Sequence, residues 1–137
     1  MINEETLQEI EMNREIAKMI GSVEEQWYPS NKDTRSTGIH LAFPERGKYP
    51  DGKRYHCDSL LKFHSDANWQ LQAIEWIEEN GWYVNINRCE VSVYDFDYKN
   101  TANGYSTSCV ASTKKLAIFN VLYAFSQHLK ILSCKTS

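Results

Sequence analysis

Four side chains that can ligate metals fall within one stretch of this 137-residue sequence: His40, His56, Cys57 and His64. Neutral imidazole and thiolate are ligands that tetrahedral zinc accepts. Their spacing matches no zinc pattern, and adjacent His56 and Cys57 on a strand would point to opposite faces, so no metal is expected of them. A thiol nucleophile could be built from Cys57 or Cys109 with His64 or His128, with Lys114 and Lys115 close to Cys109 in sequence; a basic neighbour is what lowers a thiol pKa. Isolated cysteines are more often buried small hydrophobes. With no C-x-x-C pair, Cys57, Cys89, Cys109 and Cys134 read as reduced thiols. Asp95 and Asp97 lie two apart on one strand face, ~7 Å from each other, a separation that suits acid/base work or a divalent ion and equally suits a solvated sheet edge. The phosphate-cradling, dinucleotide, zinc-protease and nucleophile-elbow motifs are all absent from the sequence. The sequence therefore assigns no catalytic residue and no cofactor. A small metal- or thiol-dependent enzyme using the His and Cys residues of the first stretch stands as an alternative.

What has to position these residues is one ordinary globular chain, with 42 % apolar and 24 % charged residues, unlike disordered sequences. Residues 1–20 carry acids and no apolar run after a basic start, so they do not read as a secretory signal, and no stretch has the ~20 apolar residues that span a bilayer. These features predict a cytoplasmic protein with no membrane partner. Charge is segregated: residues 65–98 hold seven acids against Arg88 alone, whereas residues 99–137 hold five lysines and no acid. Such blocks neutralise one another across a fold or steer a charged partner.

Asn3 is placed to cap a helix over Glu4 to Ile20, with Leu7, Ile10, Ile16, Ala17 and Ile20 near helical spacing and Gly21 as the stop. From Ser22 to Phe63 turn formers dominate, and the two β-like pieces Gly38–Phe43 and Arg54–Phe63 predict a long hairpin across Pro44–Lys53. Ser65 or Asp66 caps a helix over Ala67 to about Asn80. Alternation then predicts strands over Trp82–Arg88, Glu90–Tyr98 and Tyr105–Ala111. Ser112 or Thr113 caps a last helix reaching about Leu132, whose wide apolar arc suits either deep burial or a homodimer through the C-terminal helix. The expected fold is α+β: a helix/antiparallel sheet/helix sandwich in the order α-insertion-α-β-β-β-α. It is a single domain over 1–137 with 22–63 as an irregular or hairpin insertion.

The run Arg14-Glu15-Ile16-Ala17-Lys18-Met19-Ile20-Gly21 resembles the opening helix of the phage ABA-sandwich domain family. Phe63-His64-Ser65-Asp66-Ala67 followed by a helix and the Trp82-Tyr83-Val84-Asn85-Ile86 strand resembles that family's second landmark. Ala117, Ile118 and Ala124 of the last helix resemble its third. Together these cover Arg14–Gly21 and about residues 62–130. The resemblance implies a phage or prophage origin and helix/sheet/helix layering, and it carries over no catalytic residue.

A helix, three strands and a helix also follow the order of double-stranded RNA readers, but the sequence pI of 5.8 argues against nucleic acid. The acidic set Glu75, Glu78, Glu79, Glu90, Asp95 and Asp97 could instead present negative charge to a host protein's nucleic-acid channel, or simply solubilise the chain. The leading expectation is a binding protein that blocks a host protein by surface occupation, an anti-defence inhibitor of the anti-CRISPR kind. Its contacts are expected in the aromatic and basic residues of the long stretch, Trp27, Tyr28, Lys32, Arg35, Arg46, Tyr49, Arg54 and Tyr55, since aromatic and arginine anchors dominate interface energies. A further alternative is an oligomer that sequesters a small signalling molecule.

Overall fold

The computed structural model describes residues 4–26, 39–44, 47–95 and 106–135. They form an α+β protein of three α-helices and two antiparallel three-stranded sheets. The chain divides into two compact units, Met1–Lys62 and Phe63–Ser137.

In the N-terminal unit, α1 (Glu4–Met19) buries Ile10, Asn13, Ile16 and Ala17 along one side, with Ile20 buried just past its end, whereas Leu7, expected on the same row, is exposed. Its end is a Schellman arrangement: Ser22 N–H donates to Ala17 O (3.0 Å) and Gly21 N–H to Lys18 O (3.2 Å), with Gly21 at φ +113°, a value that L side chains rarely adopt. The chain then enters β1 (Val23–Gln26), which pairs antiparallel with β2 (Ile39–Ala42), and β2 pairs antiparallel with β3 (Tyr55–Cys57).

The expected hairpin is present as the β2–β3 pair, with Leu41 opposite His56. Its second arm is shorter than expected, because after Cys57 the backbone turns into a 3₁₀ segment, Asp58–Leu60. Strand β1 is not among the expected elements; Val-Glu-Glu-Gln has too few residues to display an alternation. The stretch expected to be an insertion supplies Leu41, Phe43, Tyr49 and Leu61 to the buried interior. It is core-forming because α1 alone presents only one apolar stripe and needs a second layer to cover it.

In the C-terminal unit, α2 (Ala67–Glu79) is capped by Asp66, whose Oδ1 accepts from Asn68 N–H (2.8 Å) and Trp69 N–H (3.4 Å). Trp69, Gln70, Ala73, Ile74 and Ile77 are its buried side. Gly81, at φ +90°, releases the chain into β4 (Trp82–Asn87), β5 (Glu90–Asp95) and β6 (Ser106–Val110), a sheet in that order. Thr113 Oγ1 accepts from Leu116 N–H (3.1 Å) at the start of α3 (Lys114–Lys135). Helix α3 packs on β5 and β6, and α2 against β4.

Val91 and Val93 of the central strand are fully buried, as are Ala117, Val121, Leu122 and Phe125 of α3, and Trp82 meets Phe125 edge-on with ring centroids 4.8 Å apart. Most of the apolar arc of α3 is thus buried, with Ala124 and Leu129 half-buried and Leu116 and Ile131 exposed. Gln70 fastens this core: its Nε2 donates to Phe63 O and Lys115 O, both at 2.9 Å. Replacing Gln70 by leucine should cost about 1–3 kcal/mol in urea unfolding, because two carbonyls, that of Phe63 buried, lose their shared donor. At the two-residue β4–β5 turn Arg88 holds φ 57°. Left-handed backbone costs a side-chain-bearing residue about 1–2 kcal/mol, so Arg88→Gly should stabilise the chain by roughly 1 kcal/mol, read as a higher Tm.

Candidate interaction surface

Because side chains alternate along a strand, the residues opposite the helices share one face of the β4-β5-β6 sheet. The register sets them in three cross-strand rows. Tyr83, Tyr94 and Ser106 form the first, Asn85, Ser92 and Ser108 the second, and Asn87, Glu90 and Val110 the third. All are exposed or half-exposed; Tyr83 is 43 % and Val110 73 % exposed. Strand spacing and rise give this grid a footprint of about 10 by 14 Å.

The grid is aromatic, hydroxyl and amide in character with one charge. Ser92 Oγ donates to Ser108 Oγ (3.3 Å), which donates to Glu90 Oε1 (3.5 Å). Tyr83 and Tyr94 stack on each other, with centroids 5.5 Å apart and planes 16° from parallel. Each ring thus gives one face to the other, which is a poor platform for stacking a base or a sugar. Tyr, Ser and Asn are the residues that antibody paratopes favour, since tyrosine supplies rigid contact area at low entropy cost and the small polar groups adapt.

The opposite kind of environment surrounds Tyr49. It is 2 % exposed, its hydroxyl donates to Leu41 O (3.0 Å) and shares a 2.6 Å hydrogen bond with Ser22 Oγ. Burial pushes its pKa up to about 12, against the opposing effect of the Ser22 hydrogen bond, with the negative charge of Asp51 adding to the rise. The His56 ring meets Tyr49 edge-on at 5.2 Å, and His56 Nε2 lies 2.6 Å from Asp51 Oδ2. Partial desolvation pushes the Asp51 carboxyl upward, but the Lys53 N–H and His56 hydrogen bonds and the nearby positive charges outweigh it, leaving the carboxyl below its ordinary range. This Ser22–Tyr49–His56–Asp51 chain locks α1's exit, β2 and the Tyr49–Lys53 turn together.

Of the contact residues expected from sequence, Trp27, Tyr28, Lys32, Arg35 and Arg46 lie outside the described residues. Tyr49 is corrected: its large apolar ring and doubly bonded hydroxyl make it a core residue with no surface to offer. Arg54 is exposed, with Nη2 donating to Phe43 O (3.1 Å) and Pro44 O (3.0 Å), so its guanidinium bridges the hairpin arms. Tyr55 is 56 % exposed and stacks with His40, centroids 6.1 Å apart and planes 9° from parallel.

The His and Cys residues are distributed by strand geometry. Glu25, His40 and Cys57 form one cross-strand row, whereas His56 is on the other face. Cys57 Sγ is 3.3 Å from Ser59 Oγ and 3.7 Å from Asp58 Oδ1. His64 belongs to the C-terminal unit, its ring 5.9 Å from that of Phe119. Burial pushes the Cys109 thiol up, and His128 packs against Trp82 and Phe125. Among the described residues no group of three or more His, Cys, Asp or Glu is placed to hold a metal ion. The acidic set is dispersed as well: Glu90 is on the open face, Asp95 is paired with Trp82 on the helix side, and Glu75, Glu78 and Glu79 are exposed on α2; Asp97 lies outside the described residues.

No family model, curated protein or solved structure matches the chain. No helix among the described residues is long and apolar enough to cross a membrane. The open grid is what sequence reading missed. The polar face of β4, with Tyr83, Asn85 and Asn87, was visible as an alternation, but pooling it with Ser92, Tyr94, Ser106 and Ser108 needs the register of three strands.

Proposed function

We propose that this chain is a non-catalytic binding protein that blocks a host protein by occupying its surface, and that the open β4-β5-β6 face is the centre of the contact. The observation that carries the reading is the grid's chemistry: a stacked tyrosine pair among serines and asparagines, with a single carboxylate. Such a surface gains area from rigid aromatics and adapts through hydroxyls and amides. The grid covers far less than the roughly 800 Å² per partner of a standard interface, so it serves as the anchor region of a larger contact whose margin contributes less energy. The resemblance of Arg14–Gly21 and residues 62–130 to the phage ABA-sandwich family supports a phage or prophage origin, hence an anti-defence, anti-CRISPR-like role in the host cytoplasm.

A host protein is preferred to a second copy docked through α3, because Ile118, Val121, Leu122 and Phe125 are already buried. Affinity capture from bacterial lysate with native chain and with Tyr83→Ala/Tyr94→Ala as baits tests the reading. A partner retained by the native bait alone supports it. A partner retained equally by both removes the open face from the account.

A further inference from the structure

Strand β6 is an edge: among the described residues it pairs with β5 alone. Ala111 N–H donates to Cys89 O at 3.2 Å, in register with the pairs Cys109–Val91 and Thr107–Val93. In an antiparallel ladder hydrogen-bonded pairs alternate with non-bonded ones. Thr107, Cys109 and Ala111 therefore turn their backbone groups toward β5, and Ser106, Ser108 and Val110 turn theirs outward. Proteins normally blunt such an edge with charge, proline, a bulge or brevity. Sheet β1-β2-β3 does so, with Glu24 and Glu25 on β1 and only three residues in β3. Strand β6 has none of these devices: Ser-Thr-Ser-Cys-Val is uncharged and its register runs unbroken over five pairs.

Just beyond its C-terminal end stand Lys114 and Lys115, both exposed. Among the described residues neither makes an ion pair, and the sequence from Ser106 to Ser137 contains no acid. Edge β4 is also uncharged, but only a single cation, Arg88, follows it.

We propose that the outer edge of β6 accepts an extended segment of a partner protein as a fourth, antiparallel strand, whose N-terminal end carries acidic residues that meet Lys114 and Lys115. The polarity follows from the ladder. A strand antiparallel to β6 has its N-terminal residues beside Val110, and so beside the lysine pair. Backbone pairing supplies affinity in such strand addition, and side chains supply specificity. Two lysines are a thin footprint for a phosphate backbone, whereas outward-facing amides and carbonyls at alternate residues are what a strand requires. The proposal rests on reading the chain as a protein binder and names how one segment of the partner enters.

The test uses the full chain and labelled peptides of alternating threonine and valine, followed by fluorescence anisotropy. One peptide begins with two glutamates, a second ends with them, and a third matches the first but is N-methylated at alternate amides. The first should bind at least about tenfold tighter than the second, and Lys114→Glu/Lys115→Glu should remove that advantage. The third should not bind. Ser108→Pro, which deletes one outward N–H at a position where an edge strand tolerates proline, should abolish binding of the first; if that variant fails to fold, the N-methylated peptide carries the same test on native protein.

Equal binding of both polarities, or indifference to N-methylation, would overturn the proposal. So would self-association of the chain that Ser108→Pro abolishes, which would assign the edge to a second copy. Binding of an oligothymidylate lost only in the lysine variant would give the corner to nucleic acid. Peptide failure with partner capture still dependent on Tyr83 and Tyr94 would sink the strand addition and leave the open-face reading intact.

Discussion

Raising the pH from 10 to 12 should cost the native chain about 2 kcal/mol more stability than it costs Tyr49→Phe. The sign follows from proton counting. An unfolded tyrosine releases its proton near 10.0, while buried Tyr49 keeps its own up to about 12. Across that window the unfolded state binds fewer protons, so stability falls as pH rises; below pH 10 the contribution is fully present. Other tyrosines and lysines titrate in both proteins and cancel in the comparison. At neutral pH the substitution itself should cost about 1–2 kcal/mol, because the buried Ser22 hydroxyl and Leu41 carbonyl lose a partner. Urea unfolding at several pH values, monitored by tryptophan fluorescence and circular dichroism, measures both. Identical alkaline slopes for the two proteins would mean that Tyr49 is not sealed from water.

Tyr83→Ala with Tyr94→Ala should weaken binding of the captured partner by about 30-fold, each single change by about tenfold, since central aromatics carry most interface energy. The two rings stack, so removing either also frees the other, and the double change should cost less than the singles added together. Losing the stacked pair should lower folding stability by only about 0.5–1 kcal/mol, small enough for circular dichroism to report an intact fold. Ser108→Ala should be nearly neutral, as small polar contacts around an anchor are.

The periodic elements were legible because their signals are local. Isoleucines at helical spacing locate α1, the pairs Ser65-Asp66 and Ser112-Thr113 announce the starts of α2 and α3, and alternation through Trp82–Arg88 and Glu90–Tyr98 locates β4 and β5. Glycines after α1 and α2 marked turns that need positive φ. What sequence could not reveal depends on pairing between distant strands. Tyr49 reads as an exposed turn residue among Lys48, Pro50, Asp51 and Gly52; only the closure of β2 onto β3 places its hydroxyl beside Ser22 and Leu41. Likewise His40 and Cys57 become cross-strand neighbours while His56 turns away, a separation that linear spacing hints at and only register decides. The open face was half-legible: the tyrosines were visible, but the serines of β6 gained meaning only from their places opposite Glu90, Ser92 and Tyr94.

Hydroxyl-radical footprinting of the chain with and without its captured partner tests most directly where the two meet. Tyr83 and Tyr55 are both solvent-accessible on different sheets, which makes each an internal reference for the other. Partner binding should suppress oxidation of Tyr83 several-fold and leave Tyr55 unchanged. Protection of Tyr55 with Tyr83 still fully oxidised would contradict the account and return recognition to the β1-β2-β3 sheet.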